Sequence, residues 1–457
     1  MASSSDSRLI ELARSIVEHA TAVDAYLQQN GLLSKLTGSA ADINSPPWMP
    51  MPDMAAEDSR QKTMAACQEL RGLLGGPVLP LLVDWTKPVI LRIIIQLRLA
   101  ELVPLQPANG AVGTPFADVA GLMRPPLSEG SVRRILRHAA THGIFCEPSE
   151  GLVAHTATSA LLARQPPLRD LVTYGMLEML PAGMRLADAL QRFPGSQDPN
   201  DTGSALANLE RELLSLDAHP PAANNNDSDR DAAVALSDRK SLWQIHSEEP
   251  EVARRFHAVM MHEFSDVGAL LDEFLGQIGI EGKKIVDVGG GRGALAVQVA
   301  SKSPTTRFIV QDSEDNAREG QKSLPAELQE RVQFMAHDFF SLQPVKDADI
   351  YFFRWILHDW SDEYAVKIIR SLIPALRPGA RVILNELVVP RPGTESPEVI
   401  KSALSYDLAM MALFNGQERS LEEWQYLFHH TDERFRFVAC RTKRPGELSL
   451  LEFVWDS

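Results

Sequence analysis

The sequence predicts an α/β fold: a doubly wound, Rossmann-like sheet with helices on both faces, preceded by a mostly helical region. Three observations predict it. Residues 284–300 read KIVDVGGGRGALAVQVA, in which β-formers run into four glycines and then into an apolar helical pattern, giving strand, tight turn and helix. From there to residue 430 short β-rich runs alternate with helical stretches, as a mainly parallel sheet covered on both faces requires. Before residue 283 that alternation is missing, and apolar residues recur at helical spacing instead.

Taken in order, residues 1–110 form an N-terminal helical region. In 9–36, Leu9, Leu12, Ile16, Val23 and Tyr26 recur at helical spacing. Residues 38–53, rich in Pro and small polar side chains, read as a loop, and 59–74 resume the helix up to Gly75-Gly76-Pro77. Residues 78–102 are the most apolar of this half, yet Asp84, Lys87, Arg92, Arg98 and Glu101 interrupt them. They read as a helix buried in a dimer or domain interface, not as a membrane span. Residues 111–194 follow as a winged-helix-like part: helix, helix and small hairpin over 116–162, with Arg133, Arg134 and Arg137 on the second helix. Residues 195–240 contain NNNDSDRD and offer few apolar groups to bury, so they read as a flexible acidic insertion. Residues 243–264 return to helix, and 241–457 make up the ligand-binding domain. Its strands are expected near 284–288, 307–312, 332–336, 349–353 and 381–388, with a closing antiparallel hairpin from 435–442 and 448–455.

Composition narrows the function. The 457 residues carry 45 basic and 60 acidic side chains, a net charge of -15, which opposes a nucleic-acid partner. Cys67, Cys146 and Cys440 are odd in number and far apart, as in reduced intracellular thiols. The N-terminus lacks the basic start and apolar run of a signal peptide, so the expected compartment is the cytosol.

The glycine-rich turn points to a nucleotide-like ligand, because a backbone without Cβ atoms approaches a ligand closely and the next helix offers free N–H groups. Gly289, Gly291 and Ala294 fit the dinucleotide spacing, and Asp287, Gly289, Gly291 and Gly293 fit D-x-G-x-G-x-G equally well. Asp287 favours the second, since a carboxylate repels a pyrophosphate and attracts the ammonium and sulfonium of S-adenosyl-L-methionine. Ligands of such sheets bind beyond the strand carboxyl ends. Asp312 stands at the second, where it can accept both ribose hydroxyls, and Asp338 with Phe339 follows the third, where acid and aromatic suit an adenine. The fourth strand runs into RWILHDWSDE at 354–363, where Trp355 and Trp360 flank the pair His358-Asp359. Histidine titrates near neutrality and can take a hydroxyl proton; Glu386 at the fifth strand end and Glu418 between two helices are acids able to fix its tautomer. No metal-ligating spacing stands out.

DVGGGRG at 287–293, RWILHDWSDE at 354–363, NELVVP at 385–390 and NGQERSLEEW at 415–424 together resemble the small-molecule O-methyltransferases of the caffeate and hydroxyindole type, especially their fungal secondary-metabolite branch. The resemblance implies His358 as general base flanked by Glu386 and Glu418. It implies Asp287, Gly289, Gly291, Asp312, Asp338, Phe339 and Arg354 around S-adenosyl-L-methionine, with arginine where the family often has lysine. Met410, Met411 and Trp355 would border a phenolic or polyketide-like acceptor, and the N-terminal region would form a homodimer. Some relatives of this fold bind the cofactor without transferring its methyl group and catalyse pericyclic or dehydrating reactions, which is the alternative reading.

Overall fold

The computed structural model describes residues 7–32, 51, 53–107, 110–218, 239–263, 276, 279–444 and 446–456. Contacts divide the chain into two compact units, Met1–Leu177 and Glu178–Ser457.

In the first unit, helices α1 (Arg8–Gln29) and α2 (Met54–Gly75) pack together. Helix α2 begins before residue 59 because the Asp53 side chain caps it, accepting from Ala56 N–H at 2.8 Å. The apolar run 78–102 is not one buried helix. It divides into a short turn Leu79–Leu81, α3 (Thr86–Gln96) and α4 (Leu99–Leu102). Pro80 breaks its start, and Arg98 takes a left-handed φ of 52° between α3 and α4. Ile90, Ile94 and Leu99 enter the core, whereas Leu81, Leu82, Val83 and Trp85 stay exposed. Helices α5 (Phe116–Leu122) and α6 (Glu129–Thr141) follow, with a three-stranded sheet in the order β1 (Thr114–Pro115), β3 (Leu152–His155), β2 (Phe145–Cys146). On α6, Arg133 pairs with Glu129 and Arg137 with Glu147. Helices α7 (Ala157–Arg164) and α8 (Pro166–Tyr174) complete the unit.

The second unit opens with α9 (Leu180–Arg192) and α10 (Gly203–Ala218). The stretch 195–218, which composition assigns to a flexible insertion, is therefore largely helical. Thr202, Ala205 and Leu206 are buried, and Gly203 comes so close to α9 that a Cβ there would lie 2.2 Å from the Ala182 carbonyl oxygen. The acidic run 224–231 lies outside the described residues. The helix expected over 243–264 is two, α11 (Leu242–Glu248) and α12 (Pro250–Glu263), because Pro250 cannot continue α11 and instead starts α12.

The sheet of this unit is close to the expectation: β4 (Lys284–Val288), β5 (Arg307–Asp312), β6 (Val332–Ala336), β7 (Ile350–Arg354), β8 (Arg381–Glu386), β9 (Phe435–Thr442) and β10 (Ser449–Trp455). Their order is β6-β5-β4-β7-β8-β10-β9, with only β10 antiparallel to its neighbours. Helices α13 (Ala294–Lys302), α14 (Glu314–Ser323), α15 (Asp362–Leu372), α16 (Pro397–Phe414) and α17 (Leu421–Thr431) alternate with the strands. Successive strand residues feed opposite cores. Ile285, Ile350 and Phe352 pack with Val299 and Ala300 of α13, while Val286, Tyr351 and Phe353 pack with Ile368, Trp424 and Phe428. Both faces being apolar is what makes these strands read as continuous hydrophobic runs.

Candidate active site

Strands β4 and β7 are neighbours, and the chain leaves them toward opposite edges of the sheet, so a crevice opens beyond their carboxyl ends. Each strand enters a tight turn there. After β4, Gly289, Gly291 and Gly293 have φ of 72°, 57° and 77°, which side chains with a Cβ resist. The Gly289 N–H donates to the Gln311 carbonyl at 2.8 Å and the Gly291 N–H to Asp312 Oδ2 at 2.8 Å. A Cβ on Gly293 would meet the Phe334 ring at 2.6 Å, and one on Gly290 the Asp287 carboxylate at 2.5 Å.

Asp287 is buried behind this cradle, and its Oδ2 has no hydrogen-bond partner. Burial raises its pKa, Arg354 opposes this and Asp312 adds to it, with a result of about 7. Arg354 is pushed down to about 9 by burial, against the pull of Asp287 and Glu386. A glycine cradle backed by a carboxylate with an uncommitted oxygen suits a cationic guest, so these residues fit S-adenosylmethionine. Asp312 already accepts from Gly291 N–H, Ser313 N–H and Asn316 Nδ2, three of roughly four sites on a carboxylate, which leaves room for one more donor rather than for two ribose hydroxyls. Asp338 is exposed after β6, with Oδ1 accepting from Phe340 N–H, and Phe339 is half-buried with its ring centroid 6.0 Å from that of Trp360.

The turn after β7 carries His358, which is 3 % exposed. Its Nδ1 lies 2.7 Å from Glu418 Oε1 and its Nε2 3.4 Å from Asp359 Oδ1. Burial depresses the imidazole pKa, but Glu418, then Asp359 and Glu386, outweigh it and push it up to about 10. Asp359 is itself raised to about 7 by burial, with His358 opposing. Glu386 is fully buried and does not hydrogen-bond the imidazole as expected. Its Oε1 instead accepts the Ile356 and Leu357 N–H groups at 3.1 and 2.9 Å, so it fixes the backbone leading into His358. The chain bearing Glu418 comes close enough for Gln417 N–H to donate to the His358 carbonyl at 2.9 Å. Only a glycine at 416 permits this, since a Cβ there would lie 2.3 Å from the same oxygen.

Of the three residues read as acceptor contacts, Trp355 stands beside His358. It holds a left-handed φ of 52°, and its ring stands edge-on to His358 at 4.7 Å. Such backbone strain persists where surrounding structure over-determines it. Met410 instead enters a core with Ala182, Leu242, Val252 and Phe414, so helix packing accounts for its position. Met411 is half-buried one turn of α16 beyond Asp407, whose carboxylate accepts the Glu418 N–H at 2.9 Å.

Comparison with known proteins gives the family. The family description of an O-methyltransferase domain matches residues 229–432. The chain is 46% identical over 454 residues to O-methyltransferase AMT9 of Alternaria alternata, covering 99% of both. It belongs to the O-methyltransferase family. A chlorophenol O-methyltransferase of Trichoderma longibrachiatum is 32% identical over 99% of this chain and 91% of its own. Among solved structures, LepI in complex with S-adenosylmethionine superposes with a TM-score of 0.68 at 21% identity, over 96% of this chain and all of that one, a likeness of fold. The chain is thus an S-adenosylmethionine-dependent O-methyltransferase.

Sequence reading of this O-methyltransferase misses three residues that the geometry brings to the site. Tyr406 of α16 places its ring 6.0 Å from Trp355. Gln197 reaches the N-terminus of α15, where its Oε1 accepts from Glu363 N–H at 3.0 Å. Arg419 is wholly buried against the His358 turn. Only Arg419 carried a signal, its place directly after Glu418; the others are brought in by long-range packing.

Proposed function

We propose that this O-methyltransferase methylates a hydroxyl of a small phenolic or polyketide-like metabolite, with His358 as general base. The observation that carries the reading is the 2.7 Å contact between His358 Nδ1 and Glu418. With Glu418 accepting the Nδ1 proton, the lone pair sits on Nε2, the atom that takes the hydroxyl proton. Asp359, 3.4 Å from Nε2, then stabilises the imidazolium. S-adenosylmethionine, when bound, supplies the electrophilic methyl group. Asp287 and the 289–293 turn would hold its cationic end, and Asp312, Asp338 and Phe339 its nucleoside. Trp355 and Tyr406 would present aromatic surface to a flat acceptor, and Met411, on the same helix as Tyr406, would border it. The relative named for chlorophenol supports a phenolic hydroxyl.

The fold likeness to LepI and to a solved pericyclic reaction enzyme motivates a second reading, in which the cofactor is kept and the substrate rearranged. The intact His358-Glu418 pair favours transfer, because a rearrangement without proton abstraction has no use for it. The apolar surface at Leu74, Leu81, Leu82, Val83 and Trp85 supports a homodimer through the first unit. Among the described residues no helix is long and apolar enough to cross a membrane, and the cysteines are free, which supports a cytosolic enzyme.

The test is mass spectrometry of the purified protein with S-adenosylmethionine and a panel of phenolic and polyketide acceptors. A product heavier by one methylene, matched by S-adenosylhomocysteine, is expected. Undiminished S-adenosylmethionine beside an isomerised or dehydrated substrate would overturn the reading.

A further inference from the structure

We propose that Arg419 is a positioning residue that keeps the base His358 in register with Glu418, an inference that rests on the reading above. Its side chain has no solvent exposure, and a guanidinium so placed is costly unless its donors are used. They are used on the turn that carries the base. Nη1 donates to the Leu357 carbonyl at 3.0 Å and Nη2 to the Trp360 carbonyl at 2.8 Å, the residues that bracket His358 and Asp359. Nε and Nη2 also donate to Asp362 Oδ1 at 3.0 and 2.9 Å, and the guanidinium carbon lies 4.9 Å from the Trp424 ring centroid.

The main chain of Arg419 is fixed as firmly. Its carbonyl accepts from Val389 N–H at 3.0 Å, in the segment that follows Glu386, and Arg419 directly follows Glu418 in the chain. One residue thus ties together the three segments that bear Glu386, His358 and Glu418. Glu418 orients the imidazole by a single contact, and that contact survives only while the two backbones keep their spacing. A planar fork spans two carbonyls from separate nitrogens in a fixed geometry; an ammonium gathers its three donors on one nitrogen and does not reproduce that spacing. Charge and geometry can therefore be separated by Arg419→Lys.

The experiment compares wild type, Arg419→Lys, Glu418→Gln and the double variant for kcat, acceptor KM, the pH profile of kcat/KM, S-adenosylmethionine affinity by calorimetry, and melting temperature. Arg419→Lys is expected to lower kcat by about 10- to 100-fold, since small misplacements cost that much, with cofactor affinity little changed. Its pH limb is expected to move toward that of Glu418→Gln, and the double variant to lose no more than Glu418→Gln alone, because both act through one contact. A limb unmoved from wild type, or losses that multiply in the double variant, would overturn the proposal and leave Arg419 a general fold support. Should His358→Ala retain full turnover, the base assignment itself fails. Should His358→Ala be inactive while Arg419→Lys matches wild type in rate and profile, only the Arg419 inference fails.

Discussion

The two turns that face the crevice, 289–293 after β4 and 355–360 after β7, are held by opposite means. The first is built from its own backbone: three glycines at positive φ, amides bonded to the neighbouring strand β5, and no space for a side chain at Gly290 or Gly293. The second uses residues with full side chains in a strained path, and others hold it from outside. Glu386 takes two of its amides, Arg419 two of its carbonyls, and Glu418 its imidazole. A cradle for a ligand shared by many enzymes can be local. A base matched to one acceptor has to be assembled from three segments, and its position can be tuned from any of them.

If the two turns are independent, breaking one leaves the other working. The largest effect on chemistry is expected from His358→Ala, which should lower turnover by roughly 10²- to 10⁴-fold while calorimetry finds S-adenosylmethionine bound as in wild type. A matching loss of cofactor affinity would mean that the turns are one unit. Gly293→Ala attacks the other side. The left-handed backbone costs about 1–2 kcal/mol and the Phe334 ring must move, so cofactor affinity should fall by about tenfold or more, with kcat at saturating cofactor falling much less. Met410→Ala should touch neither turn. It opens a cavity in the core between α16 and α9, with an expected loss of about 2–5 kcal/mol in denaturant unfolding and the smallest change in kcat per folded molecule. A raised acceptor KM with unchanged stability would return Met410 to the acceptor site.

The contrast between the turns also explains what the sequence discloses. Strands β4 to β10 and the helices between them are legible because continuous apolar β-rich runs, glycine turns and helical spacing are local signals. Asp287 and the glycines were legible for the same reason, and His358 because tryptophans and acids crowd it within ten residues. Glu386 stands at its expected strand end, but nothing in NELVVP says that its carboxylate turns to the Ile356 and Leu357 amides. Met410, expected beside the acceptor, packs into a core, and a methionine pair on an apolar helix gives no sign of which one faces it. Residues 195–218 read as part of a flexible acidic insertion because the stretch 195–240 offers few apolar groups to bury, whereas here Gly203 lets α10 lie close against α9. Gln197 and Tyr406 meet the site only through packing between segments far apart in the chain.

The most direct test of the account is the pH dependence of kcat/KM in wild type and in Glu418→Gln. His358 accepts a proton only when neutral, and its carboxylate neighbours push its pKa up, to about 10. The wild-type rate should therefore rise with pH from neutral into the alkaline range. Removing the Glu418 charge lowers that pKa, so the limb of the variant should shift toward acid even as its maximal rate drops. A wild-type profile flat across this range, or a limb that stays in place in Glu418→Gln, would contradict a base whose proton affinity is set by Glu418.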